Sequence, residues 1–505
     1  MKKTSLIIAA SALFIGFLSS CKKSSSSSSE NTVISTPPYQ VGQAITPGNL
    51  AANHYKGTMT SGNTYTLTGD FTINYGDTVL LQSGVTVCVQ PGVTIIVKGV
   101  LISLGTAAAP NYFTVCGTTK IDQVGNPPTS DPAYAGKWTG INCDTSCPLL
   151  DLQWTHIEFT GGTFANTEPF VGGSSGSVSY SILFQNPNGD LIVMDSWIYG
   201  CTDDCVRIQQ GRLYMARNTL EKMGYIGGDG LNAKHGSQGD MSYNLCVGNA
   251  TNSTKCSDKG SGNFVECNIN MYNNTYVDCG YRQASYLSRG SDIDYEQGGR
   301  GWCYNNLIVN CRNGIRVGDG QNSIPMPDTV NTIIGYNYIY DDSVWEVNQM
   351  YPIAAGTWTK PNAYIIPTQK QFNLPADFYN PNGNPSNGGD DLAYTAPSLA
   401  GANNPMFVNF PLPEVLSGAG ANLSYISSLE TGVSVNGKPF DFHLKTGSPA
   451  IGIGYTSFKA FATIINPVTA DKVAGNIKLF NASTQVTAPG VDMGCYQSNG
   501  TGNQH

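Results

Sequence analysis

Five segments of this chain open on an asparagine, run into a short β-prone stretch and recur at nearly constant spacing. They are Arg217-Asn218-Thr219-Leu220, Tyr243-Asn244-Leu245-Cys246, Asn273-Asn274-Thr275-Tyr276, Asn305-Asn306-Leu307-Ile308 and Tyr336-Asn337-Tyr338-Ile339. The second-position asparagines lie 26, 30, 32 and 31 residues apart. Five residues further on stand Met223, Asn249, Cys279, Cys311 and Asp342, and an earlier copy opens at Ser196 with Cys201 at the same offset. Such a period, with short strands and no helical pattern, restricts the chain to a solenoid of one repeat per coil. Coils stacked at a strand spacing of about 4.8 Å turn equal offsets into ladders of like residues. An asparagine ladder directs its amides into the turn backbone. Cys201, Cys279 and Cys311 read as small buried hydrophobes in a second ladder.

The region before the repeat fits the same architecture. Thr78-Val79-Leu80, Val85-Thr86-Val87, Thr94-Ile95-Ile96-Val97, Val100-Leu101-Ile102 and Phe113-Thr114-Val115 are β-branched runs separated by turns. With 58 glycines, 40% hydrophobic and 10% aromatic residues, the chain reads as β-rich and, for most of its length, not disordered. The stretch Ile96-Val97-Lys98-Gly99-Val100-Leu101 through Phe113 resembles the first coils of right-handed parallel β-helix proteins, the pectate-lyase-like superfold. Trp138-Thr139-Gly140-Ile141 and Trp154-Thr155-His156-Ile157-Glu158-Phe159 resemble their next coils. Gly447-Ser448-Pro449-Ala450-Ile451 with Val491-Asp492-Met493-Gly494-Cys495-Tyr496 is similar to the closing motif of bacterial exported β-helix proteins. The resemblance implies an all-β, right-handed parallel β-helix and export. It leaves the activity open, because this superfold hosts lyases, hydrolases, epimerases and inactive binders. The expected organisation is coils over 46–340, an irregular excursion rich in Pro, Gly and aromatics over 341–400, and closing coils with the C-terminal motif over 401–497.

The N-terminus reads as a targeting segment over 1–20. Lys2 and Lys3 precede an apolar run from Leu6 to Phe17, and Leu18-Ser19-Ser20-Cys21 forms a cleavage box. This resembles bacterial lipoprotein signals, which implies lipidation of Cys21, a Ser-rich tether over 21–45 and attachment to the bacterial outer membrane on its periplasmic or outer face. Thirteen cysteines remain, so at least one stays unpaired in a monomer. Cys143 with Cys147, and Cys201 with Cys205, lack the histidine pairs of a zinc site.

The charge pattern points to a partner. Only 12% of residues are charged and the net charge is −8, which argues against nucleic acid. All eight arginines fall between Arg207 and Arg316. The second strands of the repeats align as Asp204-Cys205-Val206-Arg207-Ile208-Gln209, Asp229-Gly230-Leu231-Asn232-Ala233-Lys234, Asn252-Ser253-Thr254-Lys255-Cys256-Ser257, Asp292-Ile293-Asp294-Tyr295-Glu296 and Asn313-Gly314-Ile315-Arg316-Val317-Gly318. Alternation puts Val206, Leu231, Ile293 and Ile315 inside. The outer column then reads Arg207, Asn232, Lys255, Asp294, Arg316, and the next reads Gln209, Lys234, Ser257, Glu296, Gly318. His235, Arg282, Arg289 and Arg300 follow in neighbouring turns. Two readings stand: a salt-bridge ladder, or a mainly cationic groove for acidic polysaccharide, since Arg grips carboxylate or sulfate bidentately.

Three activities fit such a groove. In β-elimination, the favoured one, Arg316 and Arg207 neutralise a uronate carboxylate while Lys255 or Lys234 removes the adjacent carbon proton. β-Helix pectate lyases commonly use Ca²⁺, which would fall to Asp203, Asp204 and Asp229. In hydrolysis, Asp294 and Glu296 share a face about 6.8 Å apart at Cα, within reach of the roughly 6.5–9.5 Å carboxyl separation of inverting enzymes. Thr202-Asp203-Asp204-Cys205 resembles the paired-Asp motif of polygalacturonases, although the Gly-His-Gly motif is at best Gly228-Asp229-Gly230. In the third, the protein is a glycan-binding or structural surface lipoprotein without turnover.

Overall fold

The computed structural model describes residues 42–120, 131–164, 176–225, 227–257, 267–280, 290, 292–312, 314–318, 332–342, 364–365, 401, 404–410, 440–456 and 488–505. Each coil gives one short strand to each of three sheets. Trp197–Cys201, Val206–Ile208 and Arg212–Ala216 make one such turn, and Thr219–Met223 then pairs in parallel with Trp197–Cys201. Repetition builds parallel sheets of 11, 11 and 10 strands, in coil order. The chain is therefore an all-β, right-handed parallel β-helix, as expected. The helical content among the described residues is a single 3-10 turn at Pro132–Tyr134. The last strand of the second sheet, Tyr364–Ile365, runs antiparallel to Arg316 and Val317.

Alternation fills the interior. Val206, Ile208, Leu231, Ala233, Cys256, Ile293, Tyr295 and Ile315 from the second sheet pack in one continuous core with Ile198, Leu220 and Cys246 from the first and Leu213, Met215 and Ile269 from the third. The asparagine ladder forms at the corner between the third and first sheets. Asn218 Nδ2 donates to Asn244 Oδ1 at 2.9 Å, Asn244 to Asn274 at 3.0 Å, Asn274 to Asn306 at 3.0 Å and Asn306 to Asn337 at 2.9 Å. The residue before each asparagine takes a left-handed backbone, with φ of 57° at Arg217, 57° at Tyr243, 52° at Asn273, 56° at Asn305 and 55° at Tyr336. Non-glycine residues pay a strain of order 1 kcal/mol or more there. The ladder bonds offset that strain at every corner. Cys201, Cys279 and Cys311 are fully buried, as expected. One disulfide joins Cys88 to Cys116, and eleven other described cysteines are free and buried.

The outer face of the first sheet is apolar in its later coils, where Leu245, Val247, Val277, Leu307, Val309, Tyr338 and Tyr340 are buried. Phe407, Phe410, Phe442, Met493, Cys495 and Tyr496 cover them. The two halves of the closing motif meet through Met493 N to Ala450 O at 3.0 Å. They dock on the coils through Gly494 N to Asn305 O at 2.8 Å and Asn273 Nδ2 to Asp492 O at 2.8 Å. Within 401–497 the described strands, Phe407–Asn409 and Asp441–Leu444, pair only with each other. The described parts of this region thus lie over existing coils. Cys21, the segment over 1–20, the tether up to residue 41, Arg282, Arg289 and the 341–400 excursion apart from 341–342 and 364–365 lie outside the described residues.

Candidate functional site

The second sheet carries the charged columns in the expected register. Arg207 pairs with Asn232, Asn232 with Lys255, Lys255 with Asp294 and Asp294 with Arg316. Lys234, Ser257, Glu296 and Gly318 form the column two residues on. Because the alternate residues fill the core, these side chains stand on the sheet's outer face. They are nonetheless largely buried there.

A cavity of about 720 Å³ opens on this face. Arg207, Asn232, Lys255 and Arg316 form its floor. Asp203, Asp204 and Asp229, from the turns that lead into the strands, form one wall, and Tyr134 and Tyr225 contribute aromatic surface. The two rings lie 6.5 Å apart between centroids. Tyr134 is held over the coils by a buried ion pair, since Lys222 Nζ reaches Asp131 Oδ2 at 2.8 Å, 91 residues away in sequence. Seven of the expected site residues thus come together. Lys234, Asp294 and Glu296 do not line the cavity. His235 sits in the turn after Leu231–Lys234, and Arg300 lies beside Asn268 just before the strand Trp302–Tyr304, both away from the lining.

The strip is charge-balanced, which corrects the expectation of a mainly cationic groove. Lys255 Nζ lies 2.5 Å from Glu296 Oε1, and Arg316 binds both Asp294 and Glu296, the latter at 2.9 Å. Arg207 donates to the Tyr180 hydroxyl at 2.7 Å and to Asp204 at 3.4 Å, with its guanidinium 4.8 Å from the Tyr180 ring centroid. Nor do the arginines belong to one sheet. Arg212, on the third sheet, binds Asp190 through two nitrogens at 2.6 and 3.0 Å, and Arg217 binds Asp195 at 2.6 and 2.7 Å. Those two are staples between coils. Arg207 and Arg316 line the cavity instead, with Nε atoms that are buried and have no hydrogen-bond partner among the described residues.

The carboxylates differ sharply in state. Asp204 accepts from the Asp229 N–H at 2.8 Å and from Asn232 Nδ2 at 2.8 Å, so it acts as a fixed acceptor. Asp229 Oδ1 accepts from Asn252 N at 3.1 Å and Nδ2 at 2.9 Å. Burial and the neighbouring Asp204 push Asp229 up to about 7, against the pull of Lys255. Burial, Asp204 and Asp229 likewise push Asp203 up to about 7, against Arg207. Burial raises Asp294 to about 6 despite Arg316. Lys255 and Arg316 overcome burial at Glu296 and hold it well below its ordinary range. Burial, together with Lys255 and Arg207, brings Lys234 down to about 7. Lys255 is shifted the opposite way: Glu296, Asp229 and Asp294 outweigh its burial and keep it charged.

The acidic wall was also a calcium candidate. Among the described residues, the one group of three or more His, Cys, Asp or Glu side chains whose ligand atoms all lie within 4.8 Å of one another is Cys279, Asp292 and Cys311. Asp203, Asp204 and Asp229 do not converge to that extent, and Asp204 has both oxygens engaged by protein donors. These three do not by themselves fit a shared Ca²⁺, and no step is assigned to one.

Several lining residues escaped the sequence reading. Asn252 stands in the Asp204–Asp229 column and was readable from the alignment. Tyr134, Tyr225, Thr251 and Asp131 lie in turns or an insertion with no periodic signal. The fold and the cavity define a parallel β-helix protein with an acid-walled, arginine-floored cleft on one sheet. No family model, no curated protein and no solved structure matches the chain.

Proposed function

We propose that the protein is a carbohydrate-active enzyme that cleaves an acidic polysaccharide in this cavity by hydrolysis, using Asp203 and Asp229. The observation that carries the reading is that these two carboxyl groups share one cavity with Arg207, Lys255 and Arg316. Burial and the neighbouring Asp204 raise both carboxyls to about 7, so each is part-protonated near neutrality, which is the requirement for one acid and one base. Asp229, which accepts two hydrogen bonds from Asn252, is the carboxylate that activates water. Asp203, partly exposed to the cavity, is the acid that protonates the glycosidic oxygen. Arg207, which lines the cavity and is partly exposed there, meets sugar carboxylates, and Tyr134 and Tyr225 stack on sugar rings. Asp294 and Glu296, the pair first considered, serve instead to orient Arg316 and Lys255. Export, the lipid anchor at Cys21 and outer-membrane attachment belong to the same proposal, supported by the N-terminal sequence.

Elimination is the second reading; its base would be Lys234, lowered to about 7 and two residues along the strand from the lining residue Asn232. Lys255, ion-paired and charged, is unsuited to remove a proton. The test is to incubate the detergent-solubilised full chain with a panel of uronic-acid polymers, following reducing ends and ultraviolet absorbance together. Hydrolysis gives new reducing ends without unsaturated product, and activity peaks near pH 7 and falls on both sides. Asp203→Asn and Asp229→Asn each lower turnover at least 100-fold while retaining retardation of the chain in glycan affinity gels. Unsaturated product identifies elimination. Retardation without any product identifies a binder, and neither signal rejects the cavity as a glycan site.

A further inference from the structure

A second cluster lies at the corner between the first and second sheets. Cys279 and Cys311 follow the first-sheet strands Thr275–Val277 and Leu307–Val309, and Asp292 immediately precedes the second-sheet strand Ile293–Glu296. All three are fully buried. Each offers a ligand atom within 4.8 Å of the other two. Both oxygens of Asp292 lack a hydrogen-bond partner among the described residues. So do both amide atoms of Asn249, which stands one coil before Cys279 in the same column, where Gly280 N donates to Asn249 O at 2.9 Å. The two thiols donate to backbone carbonyls, Cys279 to Val277 O at 3.2 Å and Cys311 to Val309 O at 3.3 Å, but buried polar atoms are almost always satisfied, and a carboxylate with two orphaned oxygens beside two thiols asks for a cation.

We propose that Cys279, Cys311 and Asp292 bind a thiophilic divalent metal ion of the zinc class, with Asn249 as the adjacent neutral donor. Two thiolates and one carboxylate form a mixed sulfur and oxygen set that suits tetrahedral Zn²⁺ rather than Ca²⁺ or Mg²⁺. Ligands about 2.0–2.3 Å from such an ion lie roughly 3.3–3.8 Å apart, so a shift of about an ångström closes the site. Binding displaces the two thiol protons and whatever proton Asp292, raised by burial, carries: Zn²⁺ enters, those protons leave to solvent, and no electrons are exchanged. The ion would tie three successive coils together at one corner and would be taken up during folding.

The experiment uses the full chain purified with reductant and without chelator. Elemental analysis is expected to find one equivalent of zinc surviving dialysis. Refolding with Co²⁺ alone is expected to give thiolate-to-cobalt charge-transfer absorption in the near ultraviolet. Cys311→Ser and Asp292→Asn weaken retention at least tenfold, whereas Cys143→Ser, a buried thiol elsewhere in the core, keeps the metal. A wild-type chain that holds no zinc and takes up neither Zn²⁺ nor Co²⁺ on refolding overturns the proposal, whatever the variants do. A Cys279–Cys311 disulfide found by peptide mass spectrometry in the purified chain overturns it as well.

Discussion

Lys234 and Lys255 stand on the same face of adjacent strands, and their charges are governed in opposite directions. Glu296 compensates Lys255 at 2.5 Å, whereas Lys234 is buried beside two other cations and falls to about 7. An unfolded Lys234 holds its proton up to the ordinary 10.5. Between pH 7 and 10.5 the unfolded state therefore binds more protons, and this residue makes stability rise with pH through that window, by up to roughly 1.4 kcal/mol per unit. Lys234→Met removes the dependence. Urea unfolding is expected to show the variant more stable than wild type at pH 7, with the gap closing towards pH 10; parallel curves would mean that Lys234 titrates normally. The columns holding both lysines were legible in the sequence, because a period of two along the strand and about thirty between coils fixes which residue lies above which. Their pairing was not. Glu296 lies two residues beyond Asp294, and whether it turns to Lys255 or to solvent depends on how deeply the outer face is covered.

The asparagine ladder is the strongest device at the level of elements. Asn274 Oδ1 accepts from Asn244 N at 2.9 Å and Asn244 Nδ2 at 3.0 Å, while its own Nδ2 donates to Met241 O at 3.0 Å and Asn306 Oδ1 at 3.0 Å. Asn274→Ala deletes all four bonds at a fully buried position and strands a backbone N–H. The expected loss is about 2–3 kcal/mol in denaturant unfolding. Asn63→Ala, where the amide bonds only within its own turn, is expected to cost under about 1 kcal/mol and serves as the control. Equal losses would reduce the ladder to ordinary turn chemistry. The ladder was readable because identical offsets must stack in a solenoid. The segment carrying Tyr134 was not, since a turn outside the repeat is placed by long-range contacts, the Lys222–Asp131 ion pair and the packing of Ala133 and Tyr134 on Phe159 and Tyr199, and none of these residues signals the others in sequence.

At the scale of the whole molecule the two outer faces do different work over the same coils. The second sheet presents polar columns and the cavity. The first sheet presents apolar residues that must be covered, because parallel sheets with both faces apolar are stable only when both are buried. The C-terminal segment supplies the cover. Met493, Cys495 and Tyr496 are buried against Leu245, Val277, Leu307 and Tyr338, Tyr243 Oη donates to Ala488 O, and Asn503 Nδ2 donates to Asn218 O at 3.1 Å. The segment therefore runs back along coils up to about 285 residues earlier in the chain. Its alternation gives no hint of this, because a strap follows the surface it covers and has no period of its own. Ending the chain at residue 487 would leave Phe407, Phe410 and Phe442 in place and expose the part of that face under Met493, Cys495 and Tyr496. Burying side chains such as Met493 and Tyr496 contributes about 1.5–3 kcal/mol each, so the thermal midpoint is expected to fall by roughly 5–10 °C, with new binding of a hydrophobic dye. The cavity lies on another face and draws no lining residue from the strap. Below the lowered midpoint, glycan retardation by the truncated chain should match that of the intact one. An unchanged midpoint would mean that Phe407, Phe410 and Phe442 suffice to cover the first sheet, and lost retardation at retained stability would mean that the two faces are coupled through the core.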